Sequence, residues 1–290
     1  MKKLSVVLAV KNEQQNLNRC LRSVKDIADE IIVFDDGSTD NTIEIAKSFG
    51  AKVTEYQRKG NFHETKQAAI NAATGDWILQ LDADEVVTSE LASEIKGLIN
   101  SSEPENLQNK KAKNNLRKWR LFQRHQQIVE ERDGKFMTGA APVNAFFVPR
   151  RNMFLGKPLI HGGVYPDAVI RLFKKGKAYL PAKSVHEQMK VDGRVGWLFS
   201  DLEHHDSPTL RRYLERANRY TDLTAEKHRA DKTPKNVWKL YLFTIHRPLI
   251  TFLSLYFRHK GFIDGIRGFL WAFFSGMHHA IAYWKYFVGK

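Results

Sequence analysis

The stretch "WILQLDADE", residues 77–85, guides the interpretation of the whole chain. Its first five residues are almost all apolar, which is typical of a buried strand. Three carboxylates then follow within four residues, at Asp82, Asp84 and Glu85. Like charges this close repel, and burying one without a partner is costly, so a cation is expected among them. The residues alone leave open whether that cation is a surface lysine or a metal ion.

Strands and helices alternate over the first hundred residues. Strands are predicted within residues 4–10, 30–40, 51–57 and 75–85, and helices within residues 16–27, 41–50 and 63–73. This alternation with short loops predicts an α/β fold, with a mostly parallel sheet flanked by helices.

Polar clusters lie where three of these strands end, at residues 11–13, 35–38 and 82–84. In open α/β sheets, ligands bind beyond the carboxyl ends of the strands. Three such loops at one edge of the sheet therefore predict a single binding site there.

Composition narrows the class of protein. Charged residues make up 27% and hydrophobic residues 42% of the 290 residues, which is typical of a globular chain and excludes a disordered one. The net charge of +14 favours an anionic partner: nucleic acid, acidic lipid or a phosphorylated ligand. The one cysteine, Cys20, lies at helical spacing among apolar residues and is predicted to be a core residue.

Residues 101–135 differ in character from their surroundings. They begin like a linker and continue as a basic helix, with Leu116, Trp119 and Phe122 along one stripe. A surface helix that packs through this narrow stripe is the favoured interpretation, and contact with a membrane surface is the alternative.

The segment 236–290 is rich in aromatic residues and carries seven lysines and arginines against one acid, Asp264. Charged residues such as Arg247 interrupt every run of about 18 apolar residues, so a spanning helix is not predicted. Mixed aromatic and basic residues suit the headgroup layer of an anionic membrane, and a packed helical subdomain is the alternative. We therefore predict one domain over residues 1–205 and a C-terminal helical, membrane-associating region over residues 206–290.

Several motifs in a fixed order resemble those of a known family. They read, in chain order, "VVLAVKNE", "IIVFDDGSTDNT", "ATGDWILQLDADE", "HGGVYPDAVIRLFKKGK", "VHEQMKVDGRVG" and "YFRHKGFIDGIRGF". The chain resembles family 2 glycosyltransferases of the GT-A fold, and more narrowly the bacterial enzymes that add a β-linked glucose to the lipopolysaccharide inner core. The resemblance covers nearly the whole chain except residues 101–135. It implies transfer of a hexose, expected to be glucose, from a UDP-sugar to a lipopolysaccharide-core or related glycolipid acceptor at the cytoplasmic face of the bacterial cell membrane.

The resemblance also implies a divalent cation, Mg²⁺ or Mn²⁺, that neutralises the diphosphate leaving group. Asp84 is then the metal ligand, and Asp82 lies near both the ribose and the metal. Asp36 is expected to accept a hydrogen bond from the uracil ring, with Val10 and Glu13 shaping the base and ribose pocket. A turn in which Asp40 or Ser38 caps the next helix is compatible with this role of Asp36.

Further contacts to the nucleotide-sugar are expected from two places. Lys66 occupies a position where the family usually has Arg or Lys near the nucleotide, whereas Gln67 replaces a frequent Asn. His186 is expected to be a third contact to the metal or the diphosphate, and a plain buried histidine is the alternative. Weaker candidates for the same role are His161, His204 and His205. No cysteine cluster or HExxH motif occurs, so a zinc site is not expected.

The catalytic base is expected in "YPDAVIR", residues 165–171. In the family an acidic residue precedes a helix that carries an arginine four positions later, and Asp167 and Arg171 match this pattern. The resemblance implies that Asp167 deprotonates the acceptor hydroxyl, and helix N-capping is the alternative role. Arg171 is expected to pair with phosphate or to orient the base.

Other functions compete with this interpretation. A nucleic-acid-binding protein would fit the charge, but no recognised motif occurs and the strand-end loops are not basic, so no nucleic-acid partner is expected. A Rossmann-type cofactor enzyme would have G-x-G-x-x-G where "VKNE" stands. Within the family, a polyprenyl-phosphate sugar transferase is the alternative, since a lipid phosphate acceptor also fits a membrane-associating C-terminal region.

Overall fold

A computed structural model describes residues 1–57, 61–181 and 188–289. Residues 151–165, predicted to belong to the N-terminal domain, are part of the second of two compact units. The first unit consists of Met1–Arg150 with Pro166–His204, and the second consists of Arg151–Tyr165 with His205–Lys290.

The secondary-structure elements are numbered here in chain order. The strands are β1 Leu4–Val10, β2 Glu30–Asp35, β3 Lys52–Glu55, β4 Trp77–Leu81, β5 Glu85–Val87, β6 Val143–Val148, β7 Arg150–Phe154, β8 Lys157–Leu159, β9 Val169–Lys174, β10 Ala178–Tyr179, β11 Lys190–Val191, β12 Arg194–Trp197 and β13 Leu202–Ser207. The α-helices are α1 Leu17–Val24, α2 Thr42–Ser48, α3 Phe62–Ala72, α4 Ser89–Asn100, α5 Pro104–Asn114, α6 Leu116–Asp133, α7 Leu210–Ala230, α8 Val237–Tyr241, α9 Arg247–Leu253 and α10 Gly265–Val288. Two π-helical turns, Leu242–His246 and Ser254–Arg258, and a 3-10 turn, Gly261–Asp264, connect the last helices.

The first unit is built on one mixed sheet. Seven described strands form it in the order β12-β6-β9-β4-β1-β2-β3. β1, β2, β3 and β4 pair in parallel, whereas β9 is antiparallel to both β4 and β6. All seven residues of β1 are buried, as expected for a central parallel strand with both faces covered. The predicted α/β fold with a mostly parallel sheet is confirmed.

Local sequence explains how these elements pack. In α1 the buried residues are Leu17, Cys20, Leu21 and Val24, which form one helical stripe against the sheet core and confirm the prediction for Cys20. Gly75 lies in the turn before β4, where an added Cβ would be 2.7 Å from Ser5 Oγ. The N–H of Gly75 donates to that oxygen, so the "ATGDW" motif permits a close backbone approach at the start of the strand.

Residues 101–135 contain less linker than predicted. α5 begins at Pro104, because the first turn of a helix tolerates a residue without an N–H. In α6, Phe122 is fully buried and stacks on Trp197, with ring centroids 4.4 Å apart, whereas Leu116 is 58% exposed. The basic helix thus packs through a narrow stripe, as the favoured interpretation predicted, but the stripe contains Phe122 and Val129 and does not contain Leu116.

The second unit is mainly helical. Among the residues that the structure describes, one helix of 22 residues, Val237–Arg258, is long and apolar enough to cross a membrane by length and composition, which differs from the prediction based on Arg247. Pro248 is accommodated within it by the preceding π turn, because a regular turn would drive the proline ring into the carbonyl of Thr244. A helix of this kind is only weak evidence for a membrane span.

Candidate active site

The acidic loop after β4 lies at the carboxyl edge of the sheet, as predicted. Its turn is closed by two reciprocal hydrogen bonds between residues three apart. The N–H of Asp82 donates to Glu85 Oε2 at 2.9 Å, and the N–H of Glu85 donates to the carbonyl of Asp82 at 3.0 Å. Glu85 is completely buried, so its carboxylate needs compensating charge within the protein.

Arg171, on β9, supplies that charge. The antiparallel register pairs Leu79 with Leu172, which places Arg171 opposite Gln80 one residue further along. Its Nη2 donates to Asp82 Oδ2 at 2.6 Å and to Glu85 Oε1 at 2.7 Å, and its Nη1 donates to Gln80 Oε1. The cation expected among the carboxylates is therefore, in part, a buried arginine.

Lys66, on α3, forms an ion pair with the other carboxylate oxygen of Asp82. Desolvation raises the pKa of Asp82, but the charges of Arg171 and Lys66 outweigh it and hold that pKa well below its usual range. Desolvation lowers the pKa of Arg171, and the carboxylates of Asp82 and Glu85 raise it by more. Asp82 and Arg171 are therefore both charged, and both carboxylate oxygens of Asp82 are engaged.

Asp84 lies in a different environment from Asp82. Its Oδ2 is 3.5 Å from Nε2 of His204, because β5 pairs with β13 and places His204 opposite Glu85. Desolvation raises the pKa of Asp84, but the hydrogen bond and charge of His204 lower it by more. Desolvation lowers the pKa of His204, and the hydrogen bond to Asp84 raises it by more. About a quarter of the Asp84 side chain is exposed, so an external ligand can reach it.

The donor set at Asp84 fits a divalent cation that is shared with a substrate. Among the described residues, no three His, Cys, Asp or Glu side chains converge to form an all-protein site. Mg²⁺ in nucleotide sites is usually held by one or two carboxylates, with substrate phosphates and water completing the shell. Asp84 Oδ2 could supply a protein ligand of such a site, and His204 Nε2 could supply a second one to Mn²⁺ after losing the proton that it shares with Asp84. Direct ligation by Asp82 would require release from Lys66 or Arg171.

Asp167 precedes a strand and not the helix that its pattern predicted. Residues 169–174, "VIRLFK", are rich in β-branched and aromatic residues and fill the gap between β4 and β6 as β9. The predicted helix is therefore wrong, and so is the alternative in which Asp167 caps it. Asp167 instead has a left-handed backbone, with φ of +36°, which is uncommon for a residue with a side chain.

Arg150 holds Asp167 from two sides. Its Nη2 donates to Asp167 Oδ2 at 2.8 Å, and its Nε donates to the Asp167 carbonyl at 3.1 Å. Its Nη1 is also 3.4 Å from Glu85 Oε1. Glu85 therefore links the loop of Asp82 to the arginine that orients Asp167. Arg171 was predicted to pair with phosphate or to orient the base; in the structure Arg150 orients Asp167, and Arg171 pairs with Asp82 and Glu85.

The remaining predicted residues lie at the ends of β1 and β2. The N–H of Asp36 donates to the carbonyl of Val10 at 2.9 Å, and Asp36 is only 6% exposed. The N–H of Glu13 donates to Thr42 Oγ1 at 2.8 Å, which fixes the loop after β1 to the start of α2. Asp40 accepts hydrogen bonds from the N–H and hydroxyl of Thr42, but the N-cap residue of α2 is Asn41, whose side chain makes no cap hydrogen bond, so the predicted cap at Asp40 or Ser38 is wrong.

The histidines predicted from sequence fall into three groups. His186 lies outside the described residues, as does Glu187. His161 belongs to the second unit, where its Nδ1 is 2.8 Å from Asp264 Oδ1. His204, a weaker candidate from sequence, is the histidine that meets Asp84.

Sequence reasoning did not single out Gln80 or Arg150 for a role, and it named Glu85 only as one of three clustered carboxylates. A polar Gln80 inside an apolar strand was a usable signal, because buried polar side chains need specific partners. Arg150 carried no local signal, since its contacts depend on pairing between distant parts of the chain.

Comparison with known proteins identifies relatives of this site. The sequence profile of the family described as Glycosyl transferase family 2 matches residues 5–159. An uncharacterized glycosyltransferase of Rickettsia typhi is 44% identical over 96 residues, 33% of this chain and 32% of that protein. The lipopolysaccharide core biosynthesis glycosyltransferase LpsC of Rhizobium meliloti is 26% identical over 285 residues, 94% of this chain and 90% of that protein.

The matches differ in how much of each relative they span. The match covers only 26–34% of the length of several relatives, including the one from Rickettsia typhi. A structure of glucosyl-3-phosphoglycerate synthase from Mycobacterium tuberculosis, in complex with Mn²⁺ and uridine-diphosphate-glucose, is 27% identical and covers 34% of this chain and 38% of that chain. Its TM-score of 0.29 is too low to support a structural conclusion. Together with the mixed sheet flanked by helices, the family match confirms the predicted GT-A-type fold.

Proposed function

Because the chain belongs to glycosyl transferase family 2, we propose that it transfers a hexose, glucose, from a UDP-sugar to a lipopolysaccharide-core or related glycolipid acceptor with inversion. The observation that carries this proposal is one connected network at the carboxyl edge of the sheet. In it, Glu85 accepts a hydrogen bond from Asp82 in the acidic loop and also contacts Arg150. Arg150 in turn donates a hydrogen bond to Asp167. The likeness to LpsC over most of the chain supports the class of acceptor.

A divalent cation, Mg²⁺ or Mn²⁺, would be held by Asp84 and His204. When bound, it would neutralise charge on the diphosphate as the glycosidic bond breaks. The chain contributes charge of its own, since Lys66 and Arg171 keep the neighbouring Asp82 ionised and in a fixed position. Preorganised charges of this kind stabilise a transition state without rearranging during the reaction.

The nucleoside is bound at the ends of β1 and β2. Asp36 accepts a hydrogen bond from the uracil ring, and Val10 and Glu13 form the adjacent walls of the pocket. Hydrogen bonds from the backbone of Asp36 to Val10 and of Glu13 to Thr42 support this assignment, because they fix the two loops relative to each other.

Asp167 is the general base. The acceptor oxygen attacks the anomeric carbon as the bond to the diphosphate breaks, and the acceptor proton passes to the Asp167 carboxylate. UDP leaves with the electron pair of the broken bond. Arg150 fixes Asp167 Oδ2, and the side chain is 39% exposed, so it is accessible to an acceptor hydroxyl.

We propose that the enzyme works at the cytoplasmic face of the bacterial cell membrane, where an acceptor of this class is expected. A polyprenyl phosphate is the second candidate acceptor, because the exposed apolar helix Val237–Arg258 also suits a lipid phosphate substrate. Transfer assays with a lipopolysaccharide-core acceptor and with a polyprenyl phosphate separate these two functions.

A donor screen tests the proposal directly. Binding of UDP-glucose, UDP-galactose, UDP-N-acetylglucosamine and GDP-mannose is measured with and without Mn²⁺. We expect the UDP-sugars to bind in a metal-dependent way and GDP-mannose to bind weakly. Asp84→Ala should abolish the metal-dependent binding of UDP-sugars while the fold stays intact. Equal binding of all four donors without metal would contradict the proposal.

A further inference from the structure

The second unit carries a helical hairpin, residues 237–288, whose two arms are Val237–Arg258 and α10. Small residues lie where the arms meet. Gly268, Ala272, Gly276 and Ala280 recur at every fourth position of α10, and all four are buried. An added Cβ at Gly276 would lie 2.6 Å from the carbonyl oxygen of Pro248, so the two backbones are in direct contact.

Large apolar side chains lie on the outside of the same hairpin. Only 11% of the first arm's most apolar window is buried. Many of the hairpin's large apolar side chains are at least 38% exposed, among them Trp238, Ile250, Phe257, Phe273 and Trp284. So many exposed large apolar side chains along one hairpin are unusual on a soluble monomer and indicate a partner.

The charges of the hairpin are almost all positive. Asp264 is the only acid in it, and that carboxylate accepts hydrogen bonds from the N–H groups of Ile160 and His161 and contacts the His161 ring. Arg258 and Lys260 lie exposed at the bend, which we call the hairpin tip, residues 257–266. The tip also exposes Phe257, Phe262, Ile263 and Ile266.

We infer that the hairpin docks on an anionic lipid bilayer and that its tip enters the headgroup layer. Exposed aromatic and aliphatic side chains beside unneutralised cations match an interface that is apolar below and negatively charged above. A second copy of the chain fits less well. A two-fold interface brings the same patch together with itself, and this patch contains no acid available to pair with its cations. The inference deepens the proposed function, since docking would deliver the enzyme to a lipid-linked acceptor, but its evidence is independent of the nucleotide site.

The test uses the full chain and vesicles of phosphatidylcholine, with or without phosphatidylglycerol. The wild type should sediment with the anionic vesicles, and added salt should weaken this binding. Arg258→Gln with Lys260→Asn removes two charges, and Asn tolerates the positive φ of position 260. This variant should bind about 30-fold more weakly. Phe257→Ser with Phe262→Ser should lower binding at least about tenfold.

The matched control lies on the basic helix α6. Leu116→Ser with Ile128→Ser removes two apolar side chains, 58% and 55% exposed, and should leave vesicle binding unchanged. UDP binding with Mn²⁺, measured in every variant, should also be unchanged. Loss of vesicle binding with UDP binding intact supports docking even if the proposed reaction is wrong.

Three results would overturn the inference. The first is equal vesicle binding by the wild type and both tip variants. The second is loss of binding in the α6 control alone, which would make α6 the membrane contact. The third is no vesicle binding at all, with concentration-dependent self-association that the Phe257→Ser, Phe262→Ser variant abolishes, which would make the hairpin an interface between copies.

Discussion

The charges of the acidic loop in the first unit are paired within the protein, whereas most charges of the helical hairpin in the second unit are exposed cations. In the loop, Asp82 and Glu85 share the buried Arg171, and the compensating charge is built into the fold. In the hairpin, cations such as Arg258 and Lys260 are exposed beside apolar side chains and a single, already bonded acid. The difference separates a loop whose charges are compensated within the fold from a surface whose cations are exposed to solvent.

The physical basis of the contrast is desolvation. A charge inside the protein loses its hydration, so its partner must be fixed in place, and removal of that partner leaves an uncompensated ion. A charge at the surface keeps its water and interacts weakly with its neighbours until a ligand of opposite charge arrives. Substitutions in the loop should therefore change chemistry and stability, whereas substitutions in the hairpin should change localisation.

The largest effect is expected at Asp167. Asp167→Asn keeps the size of the side chain and tolerates the left-handed backbone, but removes the proton acceptor. Transfer from UDP-glucose should fall by about 10²–10⁴ in kcat, with little change in UDP or metal affinity. Asp192→Asn, at an exposed carboxylate that pairs with Lys177, is the matched control and should stay active. Near-normal turnover by Asp167→Asn would move the base elsewhere, with Glu187 the next residue to substitute.

The next effect tests the buried charges directly. Arg171→Leu leaves Glu85 and Asp82 without their shared cation, so the free energy of unfolding should fall by about 3–5 kcal/mol. The measurement is urea denaturation followed by circular dichroism. Arg211→Leu breaks an exposed pair with Glu215 and should cost only about 0–1 kcal/mol. Equal costs for the two variants would remove the contrast between buried and exposed charge.

A third effect concerns a carboxylate of the first unit outside the proposed site. Glu30 begins β2, at the opposite edge of the sheet from the acidic loop, and accepts hydrogen bonds from Ser5, Thr74 and Lys52. Desolvation raises its pKa, but these donors outweigh it and lower the pKa of Glu30 from 4.5 to about 2.

The lowered pKa of Glu30 fixes the direction of a pH effect. The carboxylate stabilises the folded state above the unfolded pKa, and this stabilisation is lost as pH falls from about 4.5 to about 2. The contribution at neutral pH is on the order of 3 kcal/mol or less. The melting temperatures of the wild type and of Glu30→Gln are measured against pH. The difference between them reports the contribution of the Glu30 carboxylate to stability. A constant difference between the two over that window would show that Glu30 has no such role.

The smallest effect is expected at His204. If His204 shares a cation with Asp84, His204→Ala should weaken Mn²⁺ binding by about 10–100-fold, measured by the electron paramagnetic resonance of free Mn²⁺. His161→Ala, in the second unit, should leave Mn²⁺ binding unchanged. Equal Mn²⁺ affinity in the wild type, His204→Ala and His161→Ala would exclude His204 as a ligand and leave Asp84 as the proposed ligand.

Several parts of the fold could be predicted from local sequence. The strand "LSVVLAV" and the stripe of Leu17, Cys20, Leu21 and Val24 follow from apolar periodicity, which depends on neighbours along the chain. The family pattern predicts a helix over "VIRLFK", whereas its β-branched and aromatic residues favour the strand that the structure shows. Its strand form depends on β4 and β6, which lie far away in sequence.

The sequence by itself determined the α/β order, the carboxyl-edge position of the acidic loop and the membership of the family. Tertiary structure alone decided which cations meet which carboxylates. Arg171 lies 89 residues from Asp82, and Arg150 lies 65 residues from Glu85. Periodicity reports which face of an element is buried, but it carries no information on the register between strands. Ion pairs form only after that register brings distant side chains together, and the cost of burying a lone charge then selects the paired arrangement.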